Sequence, residues 1–351
     1  MVNTTTAMGE ERPFKLSLID RFNNWVKKLP IRAWVFFVVF GFVLVVVQVL
    51  VLWLEGGLQN VEILPVIIFN GLFTSFLPAL IYLLDSQAVA ALNAMRPVLD
   101  TSESEFDQYE YTLSNMPSPL PLVVGLTMLV LVILMELLLT VPIRYAALEN
   151  FRIFAVVFQV IDKSSAFLFG VFIYHTIRQL LLVNAINSNH VRINLFHLGP
   201  SQAFSTLTAS TAVGLVAGVY GWMLINPELL TDPVFFGFIV IITILAVSVF
   251  VWPLYGVHRR MEAAKEKVLH EIDLRFEVVF SKFNTGIHDD DYSAIEKLNG
   301  AISSLEIQYN RIAAIPTWPW RPETARFALS AIALPLVLAI LRFLVERAFD
   351  W

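Results

Sequence analysis

Cysteine is absent from the 351 residues, which rules out a disulfide framework, a thiolate metal site and a Cys nucleophile. Charge is scarce as well: Asp, Glu, Lys and Arg make up 15% of the chain, against about 25% in soluble domains. No Walker-type glycine loop, GxSxG, HExxH, EF-hand pattern or CxxC pair occurs, and no nucleophile stands beside a base. His175, His190 and His197 follow the fourth apolar run without a helical i, i+3 or i+4 pairing, which gives metal ligation little support. The acidic run HDDDY at 288–292 reads as a solvated loop that caps the next helix, with divalent-ion binding as the sharper alternative. A net charge of -5 argues against a nucleic-acid partner. The polar start MVNTTTAMGEERPFKLSLIDRF lacks the short apolar core and small-residue cleavage site of a signal peptide. These absences leave an expectation of a non-enzyme with no cofactor.

Apolar residues are what the chain has in excess. It is 57% hydrophobic, with a mean hydropathy of +0.69, values that belong to an integral membrane protein. Crossing the hydrocarbon takes roughly 20 apolar residues. Seven stretches qualify, at 34–54, 62–84, 121–143, 153–175, 206–225, 234–256 and 326–345. The expected fold is therefore all-α, a polytopic bundle of seven transmembrane helices in the plasma (inner) membrane. Basic residues cluster in the first 33 residues and between spans six and seven, while the loops at 55–61 and 225–233 have none. The positive-inside rule then places the N-terminus in the cytoplasm, and seven spans leave the C-terminus outside. In this frame 1–33 is a cytoplasmic amphipathic segment and 34–256 a six-helix bundle. Residues 257–323 form a cytoplasmic anchor, and 324–351 the last membrane helix.

The segments beyond the membrane carry helical patterns. SLIDRFNNWVKKLP reads as an interfacial amphipathic helix. Spans four and six both keep helical composition past their apolar limits, span four through about 176–205. In the next helix, expected at 291–313, Ile295, Leu298, Ile302, Leu305, Tyr309 and Ile312 are spaced 3, 4, 3, 4, 3 apart. That is a coiled-coil seam, which either closes an intramolecular hairpin or joins subunits around an axis. IPTWPWRPET follows at 315–324, where three prolines interrupt any helix. Trp318 and Trp320 suit a headgroup-level anchor, or a rigid coupling element between the cytoplasmic and last membrane helices.

Polar groups inside spans cluster in the outer half of the bilayer. At 1.5 Å per residue, Asn70 lies roughly 12 Å deep, and Gln159, Asp162 and Lys163 roughly 10 to 17 Å. With Gln48 and Glu136 they either glue the helices together or line an outward pocket walled by Tyr220 and Trp222. Adjacent residues point about 100° apart on a helix, so Asp162 and Lys163 are expected to find separate partners, with Glu136 the mate of Lys163. On span seven, Ala328, Ala331, Pro335, Leu338, Arg342 and Glu346 make one stripe, small or apolar inside and charged at the outer mouth. Such a stripe lines a pore on an oligomer axis or packs a central helix.

Seven spans, long extensions of spans four and six, and a last helix split at 291–313 and 326–345 resemble the insect odorant and gustatory receptors. HLGPSQAFSTLTA and IPTWPWRPET are also similar to prokaryotic membrane proteins, a likeness that implies no function. The receptor resemblance implies four subunits around the last membrane helix, held by a cytoplasmic anchor, with a small-molecule pocket among spans two, three, four and six. The expected function is thus a homo-oligomeric, tetrameric ligand-gated ion channel embedded in lipid and passing a permeant ion. A sensor or scaffold acting through the cytoplasmic helices is the alternative. A secondary transporter ranks last, since seven spans do not divide into two inverted repeats.

Overall fold

The computed structural model describes residues 13–59, 61–138, 150–189, 195–196, 198–199, 202–225, 233–288 and 292–349. Among these the chain is helical, with one isolated β-bridge between Leu16 and Pro117. In order come α1 (Leu18–Lys27), α2 (Ala33–Leu54), α3 (Leu64–Met95), α4 (Glu103–Ser114) and α5 (Pro119–Leu138). Then follow α6 (Arg152–Asn189), α7 (Ser205–Ile225), α8 (Pro233–His288), α9 (Tyr292–Ala313) and α10 (Pro322–Phe349).

Among the described residues six helices, α2, α3, α6, α7, α8 and α10, are long and apolar enough to cross a membrane. The third expected span falls on α5, which is apolar over Pro119–Leu134, and residues 139–149 of that expectation lie outside the described residues. The bundle is built around α3 and α7, whose apolar stretches are about half buried. Close approach brings other helices onto this frame. A Cβ on Gly71 would meet the Val45 backbone nitrogen at 2.9 Å, and one on Gly170 would meet the Val124 carbonyl at the same distance. Small residues thus bring α2 to α3 and α5 to α6 at backbone range, the usual packing solution where lipid removes the hydrophobic drive between helices. Large apolar side chains such as Phe42, Val160, Ile244 and Leu341 cover the outside of the spans.

Several helices run on past their apolar stretches at one end, the end that carries the basic segments. At 1.5 Å per residue α8 is about 84 Å long and α6 about 57 Å. The segment 85–120, which carries the acidic run TSESEFDQYE, is largely helical. Here α3 continues to Met95, and α4 starts at a capping box in which Ser102 and Glu105 bond each other's backbone. Arg178 of α6 donates to the Thr112 and Asn115 carbonyls at the end of α4, at 2.6 and 2.7 Å. Asp20 of α1 accepts from the Met116 backbone N–H at 2.8 Å, and Arg260 of α8 donates to the Asn187 carbonyl of α6. The N-terminal segment, α4 and the extensions of α6 and α8 therefore share one end of the bundle.

The α8–α9 pair is an antiparallel hairpin within one chain, with Ile272, Leu305 and Ile312 at its centre. At the opposite end, Glu55 caps α6: its carboxylate accepts from the Ile153 and Phe154 N–H groups at 3.1 and 2.8 Å. An acid at a helix N-terminus satisfies free donors and meets the positive end of the dipole.

Candidate functional site: an intramembrane charge triad

The polar residues of the spans divide into two groups. The first is interior. Asn70 is buried on α3 and donates to Gln48 Oε1 of α2 at 3.3 Å and to the Phe158 carbonyl of α6 at 3.4 Å. Thr74, one turn on, reaches the Asn70 and Ile161 carbonyls. Gln48 is also fully buried and donates to the Leu44 carbonyl at 3.0 Å. These groups spend their hydrogen bonds tying α2, α3 and α6 together, the gluing alternative for Asn70.

The second group lies on the rim. Lys163 of α6 sits between two carboxylates, paired with Glu136 of α5 and with Asp162 at 2.9 Å. Glu136 as the mate of Lys163 is what its position on span three suggested. The expectation that Asp162 needs a partner elsewhere is corrected, because the long lysine stem swings Nζ back to its neighbour. The three side chains are 33%, 27% and 20% exposed for Glu136, Asp162 and Lys163. With one base and two acids the triad carries a net charge of -1 when all three are ionised. α5 packs chiefly on α6, so the triad lies at the outer edge of the bundle and away from its α3–α7 centre.

The remaining expected pocket residues are not gathered around it. Gln159 is half-buried one turn before Lys163. Tyr220 is half-buried on α7, and Trp222 packs on Phe69 of α3 with ring centroids 5.5 Å apart. Trp222 belongs to a separate apolar cluster with Leu52, Ile67 and Phe154. The cavities along Leu274–Gln308, at Phe14–Arg21 with Tyr111, and at Ser17–Ile19 with Phe167 are not lined by this set.

On α10 the small-residue stripe faces inward. Ala328 and Pro335 are buried, and Ala331, Leu338 and Arg342 are partly so, with the helix packed on α7 and α8. Its outer face carries Phe327, Leu334, Val337 and Leu341. The side chain of Glu346 lies outside the described residues, as does that of Ile295 at the start of the α9 seam. Along that seam Leu298 and Ile302 are half-buried, Leu305 and Ile312 are buried against α8, and Tyr309 is exposed. The hairpin alternative accounts for most of the seam's apolar positions.

The tryptophans of the elbow form part of a ring stack. His258 of α8 lies flat on Trp318 at 3.8 Å and 5°, Trp318 on Trp320 at 4.6 Å and 10°, and Trp320 on Phe250 at 4.7 Å and 15°. Lys265 adds two hydrogen bonds to the Ala313 and Ile315 carbonyls, closing the end of α9. The elbow is thereby fixed to α8 where that helix leaves the apolar region.

The chain matches no family model, no curated protein and no solved structure.

Sequence reasoning missed one buried pair. Asp85 of α3 and His175 of α6 meet at 2.8 Å between Oδ1 and Nε2, both nearly inaccessible. Asp85 falls one residue past the span limit drawn at 84, and it gave no signal beyond being acidic beside an apolar run. His175 lacked any partner at helical spacing because its partner is on another helix. His190 and His197 lie outside the described residues.

Proposed function

We propose that the protein is a homo-oligomeric ion channel whose polar path passes the Glu136–Asp162–Lys163 triad. The observation that carries this reading is a set of charges a fifth to a third exposed on the rim of an apolar bundle. Charges within a span are costly against hydrocarbon, by several kcal/mol at depth, and face a bundle interior or a water-filled path instead. A second copy of the chain packed beside α5 and α6 would supply such a path. The net negative charge favours cations along it, as acidic rings do in cation-selective pores. In this arrangement the inward stripe of α10 is a packing face, and the elbow and hairpin connect that helix to the basic end. A small-molecule ligand would act from the outer half, where the triad and the Trp222 cluster lie.

The test is ion flux from liposomes containing the purified protein. Flux above that of empty liposomes, reduced or altered in selectivity by Asp162→Asn, is the expected result. Absence of flux from correctly folded, oligomeric protein under all ligands and voltages applied would overturn it.

A second reading, signalling through the α8–α9 hairpin, is favoured by an apolar furrow of about 580 Å³ lined by Leu274, Val278, Val279, Ala301 and Leu305. A partner protein recovered on the hairpin, without flux, would favour that reading.

A further inference from the structure

The residues before α1, the first turn of that helix and α4 enclose a pocket of about 410 Å³, lined by Phe14, Lys15, Leu16, Arg21 and Tyr111. Its walls are fixed. The Tyr111 hydroxyl donates to the Phe14 carbonyl at 3.0 Å, and the Phe14 ring lies 5.1 Å from that of Tyr111 and 5.3 Å from the Arg178 guanidinium. On the other side the Ser17 N–H donates to the Met116 carbonyl at 3.1 Å, and the Ser118 N–H to the Lys15 carbonyl at 2.8 Å. Both cations of the pocket are exposed. Among the described residues neither meets a carboxylate, and no acid lines the pocket.

The pocket lies where two apolar helices begin. Leu16 bridges to Pro117, two residues before α5 starts at Pro119, and Phe22 and Trp25 of α1 pack on Phe36 in the first turn of α2. The outer face of α1 carries Leu18, Arg21, Trp25 and Lys28 at spacings of 3, 4 and 3, with Leu18 and Trp25 60% and 51% exposed. Asp20 is turned inward, and it is the one acid against five cations between positions 15 and 32. An apolar and basic face at the entry of a span is the pattern of a helix lying among anionic headgroups. Beside the pocket is a narrow apolar crevice between α1, α5 and α6, lined chiefly by Leu18, Ile19, Pro121, Leu122 and Phe167.

We propose that this pocket binds the phosphate of an anionic phospholipid in the leaflet at the basic end of the bundle. The Arg21 guanidinium presents a planar fork of donors to the phosphate oxygens, and the Lys15 ammonium adds a point charge. Phe14, Leu16 and the Tyr111 ring, whose hydroxyl is already spent on Phe14, offer an apolar wall to the glycerol. The crevice takes the first carbons of an acyl chain, which a free phosphate ester lacks, and this selects the lipid as the occupant. The proposal is independent of the channel reading, because it concerns only the seat of α1 among the headgroups.

Native mass spectrometry of the full-length protein tests it, with phosphatidylglycerol and phosphatidylcholine of the same acyl chains supplied in equal amounts. The expected result is one phosphatidylglycerol per chain, retained over phosphatidylcholine by roughly 30-fold, the ratio two cations near a membrane surface supply. Lys15→Gln with Arg21→Gln brings the ratio near unity. Lys28→Gln with Arg32→Gln, an equal loss of charge outside the pocket, keeps it. All four side chains are exposed, so neither pair of substitutions disturbs the packing. Equal retention of the two lipids by the parent protein would overturn the proposal. So would the same loss in both double variants, as the mark of a general charge effect. Glycerophosphoglycerol, the headgroup without its chains, should bind far more weakly than the lipid; binding as tight would overturn the proposal in favour of a site for free phosphate esters.

Discussion

At position 163 a single ammonium group answers two carboxylates, and that arithmetic governs what substitutions do there. Lys163→Met leaves Glu136 and Asp162 facing each other without a counter-charge, at a cost on the order of 1–3 kcal/mol. Thermal unfolding in detergent should show the loss, and adding Glu136→Gln to the same chain should recover part of it. Asn70 behaves differently, since its partners are Gln48 and a carbonyl. Asn70→Leu costs about 1 kcal/mol, as intramembrane hydrogen bonds usually do, and leaves ion flux unchanged. A change in flux without loss of stability would move Asn70 from glue to pathway. Much of this was legible in the residues: the polar positions and the Glu136–Lys163 pairing both follow from helical geometry. The division into an interior group and a rim group was not, because it depends on which side each helix turns to its neighbours. The Asp162–Lys163 contact depends in turn on a flexible side chain, which helical spacing alone does not fix.

Between elements, the elbow is the joint to probe. Its rings stack from Phe250 to His258 over two turns of α8, and Trp320 sits in the middle with an N–H that meets no protein acceptor. Trp320→Ala should cost about 2–4 kcal/mol through lost packing, whereas Trp320→Phe keeps the stack and should cost under about 1 kcal/mol. Unfolding temperatures of the two variants check this, and equal losses would mean that the stack is not what holds the elbow. The prolines and tryptophans announced a rigid joint, but the stacking of Trp318 and Trp320 on His258 and Phe250 of α8 is a tertiary fact. α4 was readable in principle from Ser102 and Glu105, a capping signature within the acidic run TSESEFDQYE. The start, length and amphipathic character of α1 were legible, whereas the burial of Asp20 and Asn23 beside Val26 was not. A buried carboxylate needs a donor, and Asp20 finds one in the Met116 N–H, far away in sequence.

For the whole molecule, hydropathy carried the architecture. Spans of about 20 apolar residues have few alternatives to helix in a bilayer, so six of the expected spans reappear as long apolar helices. What hydropathy cannot carry is the side on which another copy packs. The channel reading requires an assembly, so the protein solubilised under mild conditions should have a mass that is a multiple of the 39.7 kDa chain. Light scattering measures this directly. The central claim is that ions pass the triad, and the reversal potential across a planar bilayer under a salt gradient tests it most directly. The account predicts a cation-selective current whose reversal potential moves toward zero in Asp162→Asn, since that change removes the triad's net charge. Bilayers that stay silent with the oligomer present, or a reversal potential that Asp162→Asn leaves where it was, would contradict it.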